Sequence, residues 1–204
     1  NLFMTSLGAY VLSRRNVMLK KPIMIMIMVT MFFGGGLIPT YLLIHDLGLY
    51  NTRAALIIPS AINTWNLIVL RTSFQGVPYG LEESARIDGA NDFTILFRII
   101  IPLSLPVMAV MTLFYAVGHW NSYFSALIYL TDASKFPLQL VLREVLIANN
   151  MEEMLTGIMN DQRYQVAETI KYATIMVSTV PILVLYPFLQ KYFVKGVLIG
   201  SLKE

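Results

Sequence analysis

Two sets of side chains in this sequence have types and spacing that could do chemistry. The first is a charged run, Glu83-Ser84-Ala85-Arg86-Ile87-Asp88-Gly89-Ala90, followed at a distance by Ile99-Ile100-Ile101-Pro102. A carboxylate such as Glu83, flanked by small residues, can accept a charge-assisted pair from an arginine on another surface. The second set is neutral: Asn63, Asn66, Tyr115, Trp120, Asn121 and Phe124 sit inside apolar stretches. Unpaired polar groups are costly in hydrocarbon, so these should face other helices or a water-filled path. Both sets offer recognition rather than bond-making. The chain shows no paired carboxylates at membrane depth, no His-Glu-x-x-His and no Gly-x-Ser-x-Gly.

The charged run needs an ordered element to present it. Pro78 can open a helix, because its missing N–H is an orphan there anyway. Residues 81–88 then form roughly two turns. Gly89 fits the left-handed position that ends a helix, and Asp92 can cap the next one, over residues 93–101. The prediction is a short helix lying outside the membrane and joined to the following span through Pro102.

Composition places the rest in a bilayer. The chain is 56% hydrophobic and 13% charged over 204 residues, against about 25% charged in a soluble domain. Its apolar runs approach the roughly 20 residues that cross a membrane. We read residues 1–13 as the end of a span, and 22–44, 54–71, 103–130 and 170–189 as further spans. The fold class expected is all-α, a polytopic transmembrane bundle in one domain, 1–204, with a cytoplasmic loop over 78–102 and an extracellular loop over 131–168. In that outer loop Leu138, Leu142, Val145 and Leu146 recur at helical spacing, beside Glu144, Glu152, Glu153 and Asp161. Orientation follows the short-loop basic residues. Arg14, Arg15, Lys20, Lys21, Arg71, Arg86, Arg98, Lys191, Lys195 and Lys203 share one side, ten of the 15 Lys and Arg. That side, with the C-terminus, is predicted to be cytoplasmic.

Other features exclude classes or leave a choice open. With 0 cysteines, disulfides, cysteine-held metals and thiol catalysis are ruled out in this chain, and 2 histidines make a histidine-rich metal site unattractive. No basic patch interleaved with aromatics points to nucleic acid. Gly34-Gly35-Gly36 with Pro39 reads either as close helix packing or as a broken helix against a cavity. His119, alone at depth, reads as a packing residue. Tyr123 and Tyr129 read as an interfacial belt.

The run from Glu83 to Pro102 resembles the cytoplasmic loop of binding-protein-dependent ABC importer permeases. Glu83, Ser84, Ala85, Gly89, Ile99, Ile101 and Pro102 fill that pattern without a gap, with Ser84 where alanine is commoner. The longer string Glu82-Glu83-Ser84-Ala85 to Asp88-Gly89-Ala90 resembles the maltose-type, sugar-importing branch. Gly34 to Tyr41 resembles a subset associated with oligosaccharides released from polysaccharides. Trp120-Asn121 and the tail with Gly196 and Gly200-Ser201 also resemble sugar permeases.

What the resemblance implies is an ABC type I importer permease in a bacterial cytoplasmic membrane, with roughly one or two spans ahead of Asn1. Glu83, Ser84, Ala85, Asp88, Gly89, Ala90 and Pro102 would couple to the ATPase. Trp120 and Asn121 would line the substrate passage, where aromatic faces stack on sugar rings and amides read hydroxyls; Asn63, Asn66, Tyr115 and Phe124 are read as passage residues with them, the two asparagines having helix-to-helix bonding as their alternative. The partners implied are a second permease of a different sequence, a pair of ATPase subunits and a solute-binding protein that meets the outer loop. The substrate implied is a saccharide, with oligosaccharides such as an alginate or pectin fragment as candidates. This chain has no phosphate-binding loop of the Gly-x-x-x-x-Gly-Lys-Ser/Thr type. It is therefore expected to be non-catalytic and to hold no cofactor, with ATP and Mg bound by the ATPase. The alternatives are an ion-coupled secondary transporter, which normally needs buried ionisable groups, and an intramembrane enzyme.

Overall fold

The computed structural model describes residues 1–156 and 161–201, with side chains over 1–149 and 166–187. Every regular element among them is helical. Glu152, Glu153, Asp161 and the Gly196 to Ser201 part of the tail signature therefore lie outside the side chains described.

Helix α1 (Leu2–Ser13) packs along α5 (Thr64–Gln75), and α5 also meets α2 (Lys20–Phe32) and α9 (Leu105–Trp120). The core lies at this junction. Ala9, Leu12, Leu67, Leu70, Phe74, Ile95, Leu96, Ile100 and Met111 are buried together there. Helix α2 is apolar all round, and none of its side chains is buried within the chain. That is the pattern of a helix turned to lipid or to another subunit.

The apolar runs fold into fewer straight helices than their lengths suggest. The run 22–44 becomes α2 and α3 (Leu37–Asp46), bent by 115° at a break that includes the glycines. Gly36 takes φ +83°, and a Cβ on Gly34 or Gly36 would meet nothing within 4 Å. Among the described residues, then, the glycines break a helix and no neighbouring helix packs on Gly34 or Gly36. The run 54–71 is no continuous span: α4 (Ala54–Ile57) stops, and α5 restarts beyond Asn63. The run 103–130 divides into α9 and α10 (Phe124–Tyr129). Residues 166–187 of α12 (Asp161–Ser201) are long and apolar enough to cross a membrane as one helix, and each of two bent pairs can be a broken span. Helix α12 runs on through Pro181 and Pro187 and packs against α9 and α11 (Leu138–Thr156).

The segment predicted to be extracellular contains a helix, α11, and among its described side chains the buried apolar one is Leu140, packed with Ala126 and Leu130, while Leu138 and Val145 are exposed. Tyr129 is buried, stacked on Tyr41 at 6.3 Å, so it is not part of an exposed aromatic belt.

Candidate functional site: an external helix and a polar cavity

Helix α6 (Tyr79–Ile87) is the predicted short helix, with Pro78 as its N-cap. Gly89 follows at φ +81°, in the left-handed region that an L side chain rarely adopts. The N–H of Ala90 bonds the carbonyl of Ala85, and that of Gly89 the carbonyl of Arg86, closing the helix end. The next cap differs from expectation. Asn91, not Asp92, caps α7 (Asp92–Ile95), accepting the Thr94 N–H at 2.8 Å. Asp92 is the first helical residue, which leaves its carboxylate free for other partners.

From α7 the chain enters a π-helical turn, Leu96–Ile100, then α8 (Ile101–Leu103). The Ile101 N–H reaches back to the Leu96 carbonyl. Proline has no N–H to give, and the widened turn spares the ladder an unmet bond beside it. A bend of 90° then separates Asp92–Leu103 from Leu105–Trp120. The segment after α6 therefore lies across the span it feeds, which suits a lever.

The coupling residues divide by exposure. Glu83, Ser84, Asp88, Gly89 and Pro102 are exposed, while Ala85 and Ala90 are half-buried against the core. Ile87 is 82% exposed and Leu81 is also open. An apolar residue that far out on a charged helix is a natural contact for a partner.

Glu82 turns the other way and is 3% exposed. It pairs with Arg14, the residue after α1, and with Arg86 at 3.0 Å. Arg86 also reaches Asp92 at 2.5 Å, and Asp92 accepts the Tyr10 hydroxyl at 3.1 Å. The hydrogen bond to Glu82 leads the causes that push the Arg86 pKa up, ahead of the bond to Asp92 and against partial desolvation. Nearby, Arg71 donates to the Leu12 carbonyl at 3.1 Å, and Lys20 to the Arg14 carbonyl at 2.9 Å. Cations thus collect at the C-terminus of α1, where the helix dipole favours them. Sequence reading missed this network. Its one local signal is the Glu82–Arg86 spacing of four residues.

A second feature is a cavity of about 390 Å³ between α3, α5, α9 and α10. Asn63, Asn66 and Tyr115 line it, with Thr40, His119 and Ser122 among their neighbours. Asn63 caps α5, accepting the Asn66 N–H at 3.1 Å, and donates its own N–H to the Tyr115 hydroxyl at 3.1 Å. The same hydroxyl is 2.6 Å from Thr5 Oγ1. His119 is exposed to the cavity and bonds the Asn1 side chain at 3.1 Å, which differs from the packing role expected of it. The other three predicted passage residues lie off the lining. Trp120 donates its indole N–H to the Ser178 carbonyl on α12 at 2.9 Å. Asn121 ends α9, and Phe124 opens α10 with an exposed ring. Among the described residues no cluster of three or more His, Cys, Asp or Glu could hold a metal.

Bent apolar helices around a cavity, with an amphipathic helix set apart from them, fit a membrane transport subunit. The chain belongs to the family of binding-protein-dependent transport system inner membrane components, whose pattern matches residues 4–199. It is 48% identical over 208 residues to the polygalacturonan/rhamnogalacturonan transport system permease protein YtcP of Bacillus subtilis (strain 168), covering 100% of this chain and 71% of YtcP. Protein LplC of the same organism is 47% identical over 207 residues, covering 99% of this chain and 68% of LplC. The crystal structure of a bacterial ABC transporter involved in the import of the acidic polysaccharide alginate matches with a TM-score of 0.80 at 35% identity, over 93% of this chain and 69% of that one. This membership settles the choice left open by the sequence in favour of an ABC importer permease over an ion-coupled transporter.

Proposed function

We propose that the chain works with a second permease of different sequence, two ATPase subunits and a solute-binding protein to import an acidic oligosaccharide. Support for the substrate class comes from the relatives, one concerned with polygalacturonan and one with alginate. Support for the division of labour comes from α6. It stands clear of extensive helix packing and presents Glu83 and Ile87 outward, as a docking element must. ATP and Mg belong to the ATPase in this reading, and this chain holds no cofactor. In this reading the basic loops lie on the cytoplasmic side of a bacterial membrane, so that α6 and the C-terminus face inward and α11 lies outside to meet the binding protein.

The mechanism follows from the bends. Closure of the ATPase pushes α6; the rigid corner from Gly89 to Ser104 carries that push into α9; and the polar cavity, bordered by α9, changes its opening. Labelled oligogalacturonides offered to a deletion strain test the proposal. Uptake restored by this gene, with an ATPase and a second permease co-purifying, is the expected result. Restored uptake of neutral oligosaccharides alone overturns the acidic substrate class, and a chain that purifies without an ATPase overturns the division of labour.

A further inference from the structure

Helix α6 is attached to the bundle mainly by charge. Its large apolar residues Leu81 and Ile87 are exposed, and its half-buried apolar contacts are Ala85 and the ring of Tyr79. No other helix packs extensively along it. What holds it is the buried carboxylate of Glu82, paired with Arg14 and with Arg86. Arg14 uses its other terminal nitrogen to donate to the Phe74 carbonyl in the last turn of α5, at 3.0 Å. Through Arg86 the same network reaches Asp92 at the head of α7, and through Asp92 the Tyr10 hydroxyl of α1. The guanidinium of Arg15 lies over the Tyr79 ring at 5.1 Å, a second cationic contact to α6.

A buried ion pair is a poor device for stability alone, because removing charges from water offsets most of their attraction. It is a good device for fixing one geometry. A guanidinium that bridges a carboxylate and a carbonyl through two nitrogens allows little sliding, whereas an apolar contact of the same size would tolerate it.

We propose that Glu82 is a positioning residue that, with Arg14, transmits the motion of α6 to α1 and α5, in parallel with the covalent route through α7 to α9. The proposal rests on the reading that α6 docks on an ATPase. It makes a distinction within one dipeptide: Glu83 meets the partner, and Glu82 passes the movement inward. Because α5 carries Asn63 and Asn66 at its other end, a shift of α5 moves the cavity wall directly.

The test uses the complete transporter in proteoliposomes and reads sugar imported per ATP hydrolysed. Glu82→Gln keeps the shape but removes the charge and, having a single amide oxygen, leaves one of the two arginines without its acceptor. We expect assembled complexes with ATPase within about twofold of wild type and at least a threefold fall, roughly, in sugar per ATP. The exchange Glu82→Arg with Arg14→Glu is expected to restore part of that ratio. An assembled Glu82→Gln complex with an unchanged ratio overturns the proposal. Where Glu82→Gln does not assemble, Arg14→Lys decides, because it keeps a cation beside Glu82 and drops the bond to Phe74. The same fall is expected there, and an unchanged ratio overturns the clasp. A wild-type complex that hydrolyses ATP but imports no sugar overturns the transport reading, and the clasp with it.

Discussion

Glu82 and Glu83 are neighbours in the chain and face opposite ways. Glu82 is buried against Arg14 and Arg86, and Glu83 projects into solvent. Successive residues on a helix differ by about 100°, so a pair of acids cannot share a face. One anchors the helix, and the other is free to meet a partner.

The first prediction concerns that free acid. Glu83→Ala should abolish sugar-coupled ATPase activity while the membrane subunits still assemble, because among the described residues no side chain or backbone group pairs with the exposed carboxylate. Normal coupled ATPase in a purified Glu83→Ala complex would remove Glu83 from the docking surface.

Gly89 gives the second. It has φ +81°, and an added Cβ meets nothing within 4 Å. The cost of Gly89→Ala is therefore backbone strain alone, about 1 kcal/mol. Gly89→Pro cannot adopt a positive φ at all and also loses the N–H bonded to the Arg86 carbonyl. Coupled ATPase should be weakened in the alanine variant and absent in the proline variant. Equal activity in the two would show that the turn is not held in this conformation.

How far the sequence foretold these features depends on distance along the chain. The helix end at Gly89 was legible, because glycine after a charged amphipathic turn is a local signal. The breaks at Gly34–Gly36 and at Asn63 were only half legible. Apolar runs give span lengths by composition, and the three glycines and Asn63 mark where a run could break without saying whether it does; the bend of 115° at the glycines and the one of 90° at Ser104 are set by backbone geometry. Asn91 rather than Asp92 caps α7 because both are good caps and tertiary contacts choose between them: Asp92 is wanted by Arg86 and Tyr10. The Arg14–Glu82 pair spans 68 positions in sequence, where no periodicity reaches. The resemblance of Trp120-Asn121 to a pair in sugar permeases points Trp120 to the passage, but its indole N–H bonds the Ser178 carbonyl of α12, a contact 58 positions away that no local pattern announces.

The cavity gives a third prediction, which separates two asparagines. In this cysteine-free chain, Asn63→Cys should react with a water-soluble thiol reagent, and substrate should protect it, because Asn63 lines the cavity. Asn121→Cys should react without protection, since Asn121 is exposed at the end of α9 and outside the lining. Protection at Asn121 but not at Asn63 would move the passage to the other side of α9.

Tyr115 supplies a fourth. Its hydroxyl lies 2.6 Å from Thr5 Oγ1 and accepts the Asn63 N–H at 3.1 Å, tying α9 to α1 and to the start of α5. Tyr115→Phe keeps the ring and deletes both bonds, at about 1–2 kcal/mol. A thermal unfolding midpoint lowered by a few degrees in detergent is the expected outcome. An unchanged midpoint would mean that water takes over both bonds.

The last prediction concerns Asn51, whose side chain and backbone organise the corner between α3 and the segment after α10. Asn51 takes φ 55°, a left-handed conformation that asparagine tolerates better than most residues. Its side-chain oxygen accepts the N–H groups of Thr131 and Asp132, each at 3.1 Å. Its own N–H bonds the Tyr129 carbonyl at 2.8 Å, and Lys135 donates to its carbonyl at 2.9 Å. Asp132 continues the arrangement: the Ser134 hydroxyl and then its N–H hold the Asp132 pKa below the usual carboxylate value. A depressed folded pKa means the contribution is full above the unfolded value and is lost as pH falls through the folded one, so this corner should loosen on acidification, not in alkali. Asn51→Gly loses the side-chain bonds and keeps easy access to positive φ; Asn51→Ala loses the bonds and adds strain. The alanine variant should therefore be the less stable by about 1 kcal/mol, read as a lower unfolding midpoint of the detergent-solubilised complex. Alanine and glycine variants of equal stability would show that the corner relaxes out of the left-handed conformation once the amide is gone, and that the two N–H acceptances alone hold it.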